Sequence, residues 1–256
     1  MPDKIRFRRI CNDVMLSERE KTGIGTYGEK LMHVILKRYA DSDVSHHEVK
    51  CCGYIADVFD GQNVTEIQTS SFSPLKKKVA KISNAGYNVT IIYPVAAKKW
   101  IIWMDPSSGE VTPRRLSPKK CDKYQLLVEM VHALPLLKRE NITFKAIFLE
   151  IEEYKLLNGW SSDRKKGSTR CERIPIDIFG ELEVSYPEGY REFLPDELGE
   201  EFSAKTLASF AKITKRRAYA AIRVLKEVAA IEVSHKKGNE IFYKRAYIND
   251  TPDKGV

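Results

Sequence analysis

Tyr54-Ile55-Ala56-Asp57-Val58-Phe59-Asp60-Gly61-Gln62-Asn63-Val64-Thr65-Glu66-Ile67-Gln68 is the stretch on which the reading of this chain turns. Two runs rich in Val, Ile and aromatic residues flank Asp60-Gly61, which predicts a tight antiparallel hairpin. Register then decides where the polar side chains go. A two-residue loop at Gly61-Gln62 sets Asp57 directly opposite Glu66. A loop at Asp60-Gly61 sets Asp57 opposite Val64, still on the side of Glu66 and Gln68, because strand side chains alternate with period two. Only a three-residue loop separates them. In the first two registers a carboxylate from each strand and the Gln68 amide project from one face, between apolar neighbours. Like charges set opposite each other destabilise a sheet, and buried carboxylates are costly unless paired or metal-bound. A divalent cation between them is the expected compensation.

Upstream, Leu31, Met32, Val34, Ile35, Leu36 and Tyr39 fill one side of a helical wheel and predict a helix over 27–39, with Lys30, His33 and Lys37 on its polar side and Glu29 at the border. Residues 1–26 read as a polar, basic lead-in. Glu48 to Cys52 reads as a strand before the hairpin. Downstream, Ser73-Pro74 opens a helix through Leu75, Val79 and Ile82 that Gly86 stops. Strands are then predicted over 87–95, 100–103 and 143–154, a short edge strand over 110–116, and a helix over 124–137. Residues 174–184 suit helix or strand equally. Trp100 and Trp103 read as packing residues, and Lys76, Lys77, Lys78 and Lys81 as a solvated face or a phosphate contact.

The order of helix with Glu29, strand, Ala56-Asp57, strand with Glu66-Ile67-Gln68, helix and strand resembles the core of the PD-(D/E)XK nuclease superfamily, over roughly residues 24 to 104. The resemblance implies an α/β restriction-endonuclease-like fold, a mixed central sheet flanked by helices. It makes Glu29, Asp57, Glu66 and Gln68 the catalytic positions, with Asp57, Glu66 and Ile67 holding the metal. Two positions depart from the pattern. Ala56 stands in place of a proline, and Gln68 in place of a lysine, so the cation that would stabilise the transition state is absent from that position. Hard oxygen ligands suit Mg²⁺, with Mn²⁺ as the alternative cofactor.

The 256 residues carry 43% hydrophobic and 30% charged side chains, enough for a real core. The net charge of +8 is unevenly spread. From Phe202 to Arg245 there are 11 Lys and Arg against three Glu, a difference of +8 that leaves the rest of the chain neutral. Ser203 caps a helix over 204–210, a turn follows at 212–214, a second helix runs over 215–228, and a hairpin with its tip at Lys236-Lys237-Gly238-Asn239 ends the module. This is the plan of a winged helix-turn-helix. Lys215, Arg216, Arg217, Tyr219 and Arg223 on the second helix and Lys236 and Lys237 on the hairpin are the expected DNA-binding residues. The domain division expected is 1–158 nuclease-like, 159–195 a linker or connecting segment, and 196–248 winged helix.

Five cysteines without CxxC spacing argue against a disulfide framework and a zinc knuckle, and point to a reducing cytoplasm. His46-His47 with Cys51-Cys52 reads as a solvated loop and core thiols rather than a zinc site. The charged start lacks an apolar segment and no run is long enough to span a bilayer. The expectation is a soluble, cytoplasmic, metal-dependent DNA endonuclease with duplex DNA as partner, no membrane contact, and homodimerisation left open. Two rivals stand beside it: a catalytically inactive nuclease-fold DNA-binding regulator, and an RNA-directed nuclease.

Overall fold

The computed structural model describes residues 2–21, 31–105, 107–157 and 169–246. The chain divides into two units, one made of Met1–Thr69, Thr90–Asp122 and Lys145–Leu182, the other of Ser70–Val89, Lys123–Phe144 and Glu183–Val256.

In the first unit Phe7, Cys11 and Val14, four and three residues apart, form a buried stripe on α1 (Lys4–Lys21). The basic residues between them hid this helix in the sequence, where a polar lead-in is predicted. α2 (Leu31–Ala40) buries Leu31, Met32, Ile35, Leu36 and Tyr39. The two helices share one core with Ile67, Ile92, Ile147, Leu149, Ile151 and Ile178 of the sheet. Phe7 meets Tyr39 edge to face at 5.1 Å, a favoured arrangement for two ring quadrupoles. The Arg8 guanidinium forks onto Asp177, 3.1 Å from Nε and 2.6 Å from Nη2.

The strands are β1 (His47–Cys51), β2 (Tyr54–Phe59), β3 (Asn63–Ile67), β4 (Asn88–Met104), β5 (Arg115–Leu116), β6 (Ile142–Leu156) and β7 (Thr169–Ser185). Among the described residues they form a seven-stranded mixed sheet in the order β1-β2-β3-β4-β6-β7, with β5 beside β4. Two strands are predicted over 87–103, but β4 is one element. The reason lies on its edge, where Ala96 and Lys99 accept from the backbone N–H groups of Cys121 and Ser117 and Ile101 pairs with Arg115. Those contacts hold Ala96 to Lys99 extended where the sequence suggests a break. A connecting segment is predicted over 159–195, yet residues 169–185 are β7. Its alternation is interrupted by Pro175 and Gly180, and an outermost strand tolerates proline because one row of its N–H groups needs no partner strand.

The second unit contains α3 (Lys76–Asn84), α4 (Tyr124–Met130), β8 (Glu201–Ser203), α5 (Ala204–Phe210), α6 (Lys215–Glu227), β9 (Ile231–Lys237) and β10 (Glu240–Arg245). Ser203 caps α5 by accepting from the Thr206 N–H, and Thr214 caps α6 by accepting from the Arg217 N–H; each such cap stabilises its helix by about 1 kcal/mol. The strands order as β8-β10-β9. α6 packs against both α5 and α4, so a helix some eighty residues upstream in the chain completes this helical cluster. α4 contributes buried Leu126, Leu127 and Met130, and α6 contributes Ala218, Ala221, Ile222 and Leu225. No helix among the described residues is long and apolar enough to cross a membrane.

Candidate functional site

The β2–β3 loop fixes the register. Val58 pairs with Thr65 and Phe59 with Val64, and the Asp60 N–H donates to the Asn63 carbonyl, leaving Gly61-Gln62 as a two-residue loop. Gly61 sits at φ +99°, the left-handed backbone that the first central position of such a loop requires. Asp60 locks the loop by accepting from the backbone N–H groups of Gln62 and Asn63 and from the Asn63 amide. The Asn63 amide, followed by those N–H groups, holds the Asp60 carboxyl below its ordinary value. Continued by one step, this pairing sets Asp57 across from Glu66.

At that step the ladder opens. The Asp57 carboxylate enters the fork, its Oδ2 accepting from the Ile67 N–H at 2.7 Å, while the Gln68 N–H turns to the Ile92 carbonyl of β4 at 2.9 Å. Glu66 is 1% exposed. Gln68 is half-buried. Glu29 lies outside the described residues.

His33, on the polar side of the helical wheel in the sequence, completes the group. His33 Nε2 lies 3.1 Å from the Ile67 carbonyl oxygen and 3.3 Å from Asp57 Oδ2. Lys37, one turn further along α2 on the same side, is 4% exposed, and its ammonium donates to the Glu48 carboxylate. Their i, i+4 spacing puts His33 and Lys37 on one stripe of α2, and only the fold shows that this stripe meets Ile67 of β3 and Glu48 of β1. Among the described residues no three His, Cys, Asp or Glu side chains gather as a cation cage. What does gather is an imidazole nitrogen, a carboxylate oxygen and a backbone carbonyl.

His46 and His47 are occupied elsewhere. His46 Nδ1 meets Asp41 Oδ2 at 2.7 Å, and His47 Nε2 lies 3.0 Å from the Asp41 carbonyl. The hydrogen bond to Asp41 raises the His46 pKa above its ordinary 6.5.

In the second unit Lys215, Arg216, Tyr219 and Arg223 of α6 and Lys236 and Lys237 of β9 are exposed. Arg217 differs from the expectation of an outward-facing cation. It is half-buried, and its Nη2 donates to Gln125 Oε1 of α4 at 3.0 Å, so part of its bonding capacity holds two helices together.

The profile of the family described as a domain of unknown function, DUF8091, matches residues 30–185. This chain belongs to the DUF8091 family. A protein of Treponema pallidum (strain Nichols), described as an uncharacterized protein, is 29% identical over 170 residues, which cover 66% of this chain and 64% of the relative. The chain therefore spans less than two thirds of that relative's length. No solved structure matches. The DUF8091 match takes in α2, the Asp57 and Glu66 hairpin and every strand through β7, and it ends before β8, α5 and α6 begin.

Proposed function

We propose that this chain is a divalent-metal-dependent endonuclease acting on DNA, with the β2–β3 fork as its cutting site and a winged helix built from β8, α5, α6, β9 and β10 as its grip on the duplex. The convergence of Asp57 Oδ2, His33 Nε2 and the Ile67 carbonyl oxygen at the fork carries this reading.

The donor set fits a cation on a simple geometric test. Ligands at about 2.1 Å in an octahedron are about 3.0 Å from their neighbours. The two edges at His33 Nε2, 3.1 and 3.3 Å, have that length, which an N–H···O hydrogen bond from the imidazole shares. Asp57, Ile67 and His33 would hold the metal, with Glu66 placed across the pairing from Asp57. The imidazole tilts the choice from Mg²⁺ toward Mn²⁺, because Mg²⁺ takes oxygen ligands while nitrogen donors favour transition metals. When bound, the metal would lower the pKa of its water and neutralise charge on the scissile phosphate. The protein's own part is to hold the carboxylate and imidazole in place. The Ile67 N–H bond to Asp57 does so at the fork.

The strand, two helices and hairpin in the order β8-β10-β9 support the winged-helix assignment, as does the concentration of positive charge between Phe202 and Arg245. The decisive assay is nicking of supercoiled plasmid by the full chain with Mn²⁺, Mg²⁺ or chelator. Metal-dependent nicking that His33→Ala shifts to a higher Mn²⁺ requirement is the expected result. Duplex binding with no nicking under any metal would favour the inactive regulator, the reading that Gln68 in the lysine position supports. Cleavage confined to structured RNA would favour the RNA-directed enzyme.

A further inference from the structure

The starts of α5 and α6 and the tip of the β9–β10 hairpin line a cavity of about 480 Å³. Its charged lining is Lys205, Lys215 and Lys237 against Glu240. Glu240 is already engaged, its Oε1 accepting from the Ser203 hydroxyl at 2.5 Å. Among the described residues no ion pair takes up any of the three lysines, and each comes from a different element. The remaining lining is Ala204, Asn239, Ile241 and the rings of Tyr219 and Tyr243. Tyr219 and Ile241 are 62% and 41% exposed, whereas Tyr243 is 6% exposed. Burial first, and the Tyr219 phenol second, raise the pKa of Tyr243, which keeps it an O–H donor.

Lysines beside an exposed aromatic ring suit a phosphate joined to a base, because every base has a face that stacks while the phosphate takes the ammonium groups. A paired strand has no use for such a ring. Its bases are stacked inside the duplex, and only phosphates and groove edges face outward.

We infer that the cavity takes one unpaired nucleotide, its phosphate among Lys205, Lys215 and Lys237 and its base against Tyr219 and Ile241, so that the module holds DNA at a strand end or a single-stranded stretch. The inference rests on the DNA-binding reading of this module. A free mononucleotide offers the same chemistry, and the experiment separates the two sources.

The test uses the full chain, with fluorescence anisotropy on a labelled blunt duplex and on the same duplex bearing a single-stranded thymidine tail. Thymidine monophosphate and inorganic phosphate serve as competitors. The tail should tighten binding about tenfold, the scale of one base stacked on an aromatic ring. Tyr219→Ala should erase that ratio and Tyr219→Phe should keep it, while Arg216→Ala weakens both duplexes and leaves the ratio intact. Thymidine monophosphate should displace the tailed duplex at concentrations where inorganic phosphate does not. Equal affinity for blunt and tailed duplex would overturn the inference and leave the DNA-binding reading standing. Binding of the mononucleotide with no affinity for either duplex would overturn the DNA-binding reading and make the cavity a free-nucleotide site. Binding of neither would overturn both.

Discussion

The β2–β3 and β9–β10 hairpins are built alike and used in opposite ways. Each closes through two residues with a left-handed glycine, Gly61 between Asp60 and Asn63, and Gly238 between the paired Lys237 and Glu240. The first turns its chemistry inward: Glu66 is buried, and Asp57 fills the gap where the ladder opens. The second turns it outward, with Lys236 and Lys237 in solvent. An inward carboxylate depends on register, because a slip of one residue sends it to the other face. An outward lysine acts through charge, and a small displacement hardly alters its long-range field. Activity should therefore break sharply at the first hairpin, and affinity should decline gradually at the second.

The largest contrast is expected from Asp57→Ala. Groups that merely support a metal ligand change activity by about 10–100-fold, so loss of the carboxylate at the fork should reduce metal-dependent nicking by more than about a hundredfold. Duplex affinity should stay at the wild-type level in the same preparation. Comparable nicking by Asp57→Ala and wild type would remove the fork from the chemistry.

The inward-turned charge of the first unit extends to Glu153, which is 1% exposed and meets Lys99 at 3.3 Å, Arg173 at 3.4 Å and Lys155 at 3.7 Å. Glu153→Ala would leave those cations without their buried partner. A loss of about 3–5 kcal/mol in urea unfolding is expected. A loss below 1 kcal/mol, the range of exposed pairs, would place the cluster in water.

Affinity at the second hairpin should respond in smaller steps. Lys236→Ala is expected to lower the slope of log affinity against log salt by about one unit, alike for all duplex sequences. Arg217→Ala should differ, since it also breaks the bond to Gln125. Its thermal midpoint should fall where that of Lys236→Ala does not.

The smallest expected effect is a pH dependence at the half-buried His46. Its folded pKa is raised by Asp41 above the ordinary 6.5, so its contribution is fully present below pH 6.5 and is lost as pH rises through the raised value. Thermal midpoints of wild type and His46→Gln should therefore differ most in mildly acidic buffer and converge in alkaline buffer. A gap that widens with pH would assign the stabilisation to the neutral ring.

Much of this could be read before the structure, for reasons that differ by region. The hairpin was legible because Asp60-Gly61 and the alternating residues around it are local signals. The helices and basic hairpin of the C-terminal module were legible because Ser203, Thr214 and Gly238 punctuate them, whereas β8, three residues long, carries no such signal. His33 was not, because its neighbours Ile67 and Asp57 are 34 and 24 positions away in sequence and only the fold brings them together. The continuity of β4 was hidden because Pro94 and the Ala96-Ala97-Lys98-Lys99 run resemble a break, and the bonds that override it come from residues 115–121. The partnership of α4 with α6 was equally hidden, since no local pattern in Leu126, Leu127 or Met130 names the face that covers them.

That partnership bears on how the chain can be made. Ser70–Val89 and Lys123–Phe144 belong to a unit whose remainder starts only at Glu183. During synthesis α4 therefore leaves the ribosome before α6, a helix it packs against, has been made. Such a nascent chain presents apolar surface for the whole interval, the circumstance in which aggregation competes with folding. A stop between β7 and α6 would leave a sticky intermediate rather than a folded fragment, so dissection should proceed by point substitution and not by truncation.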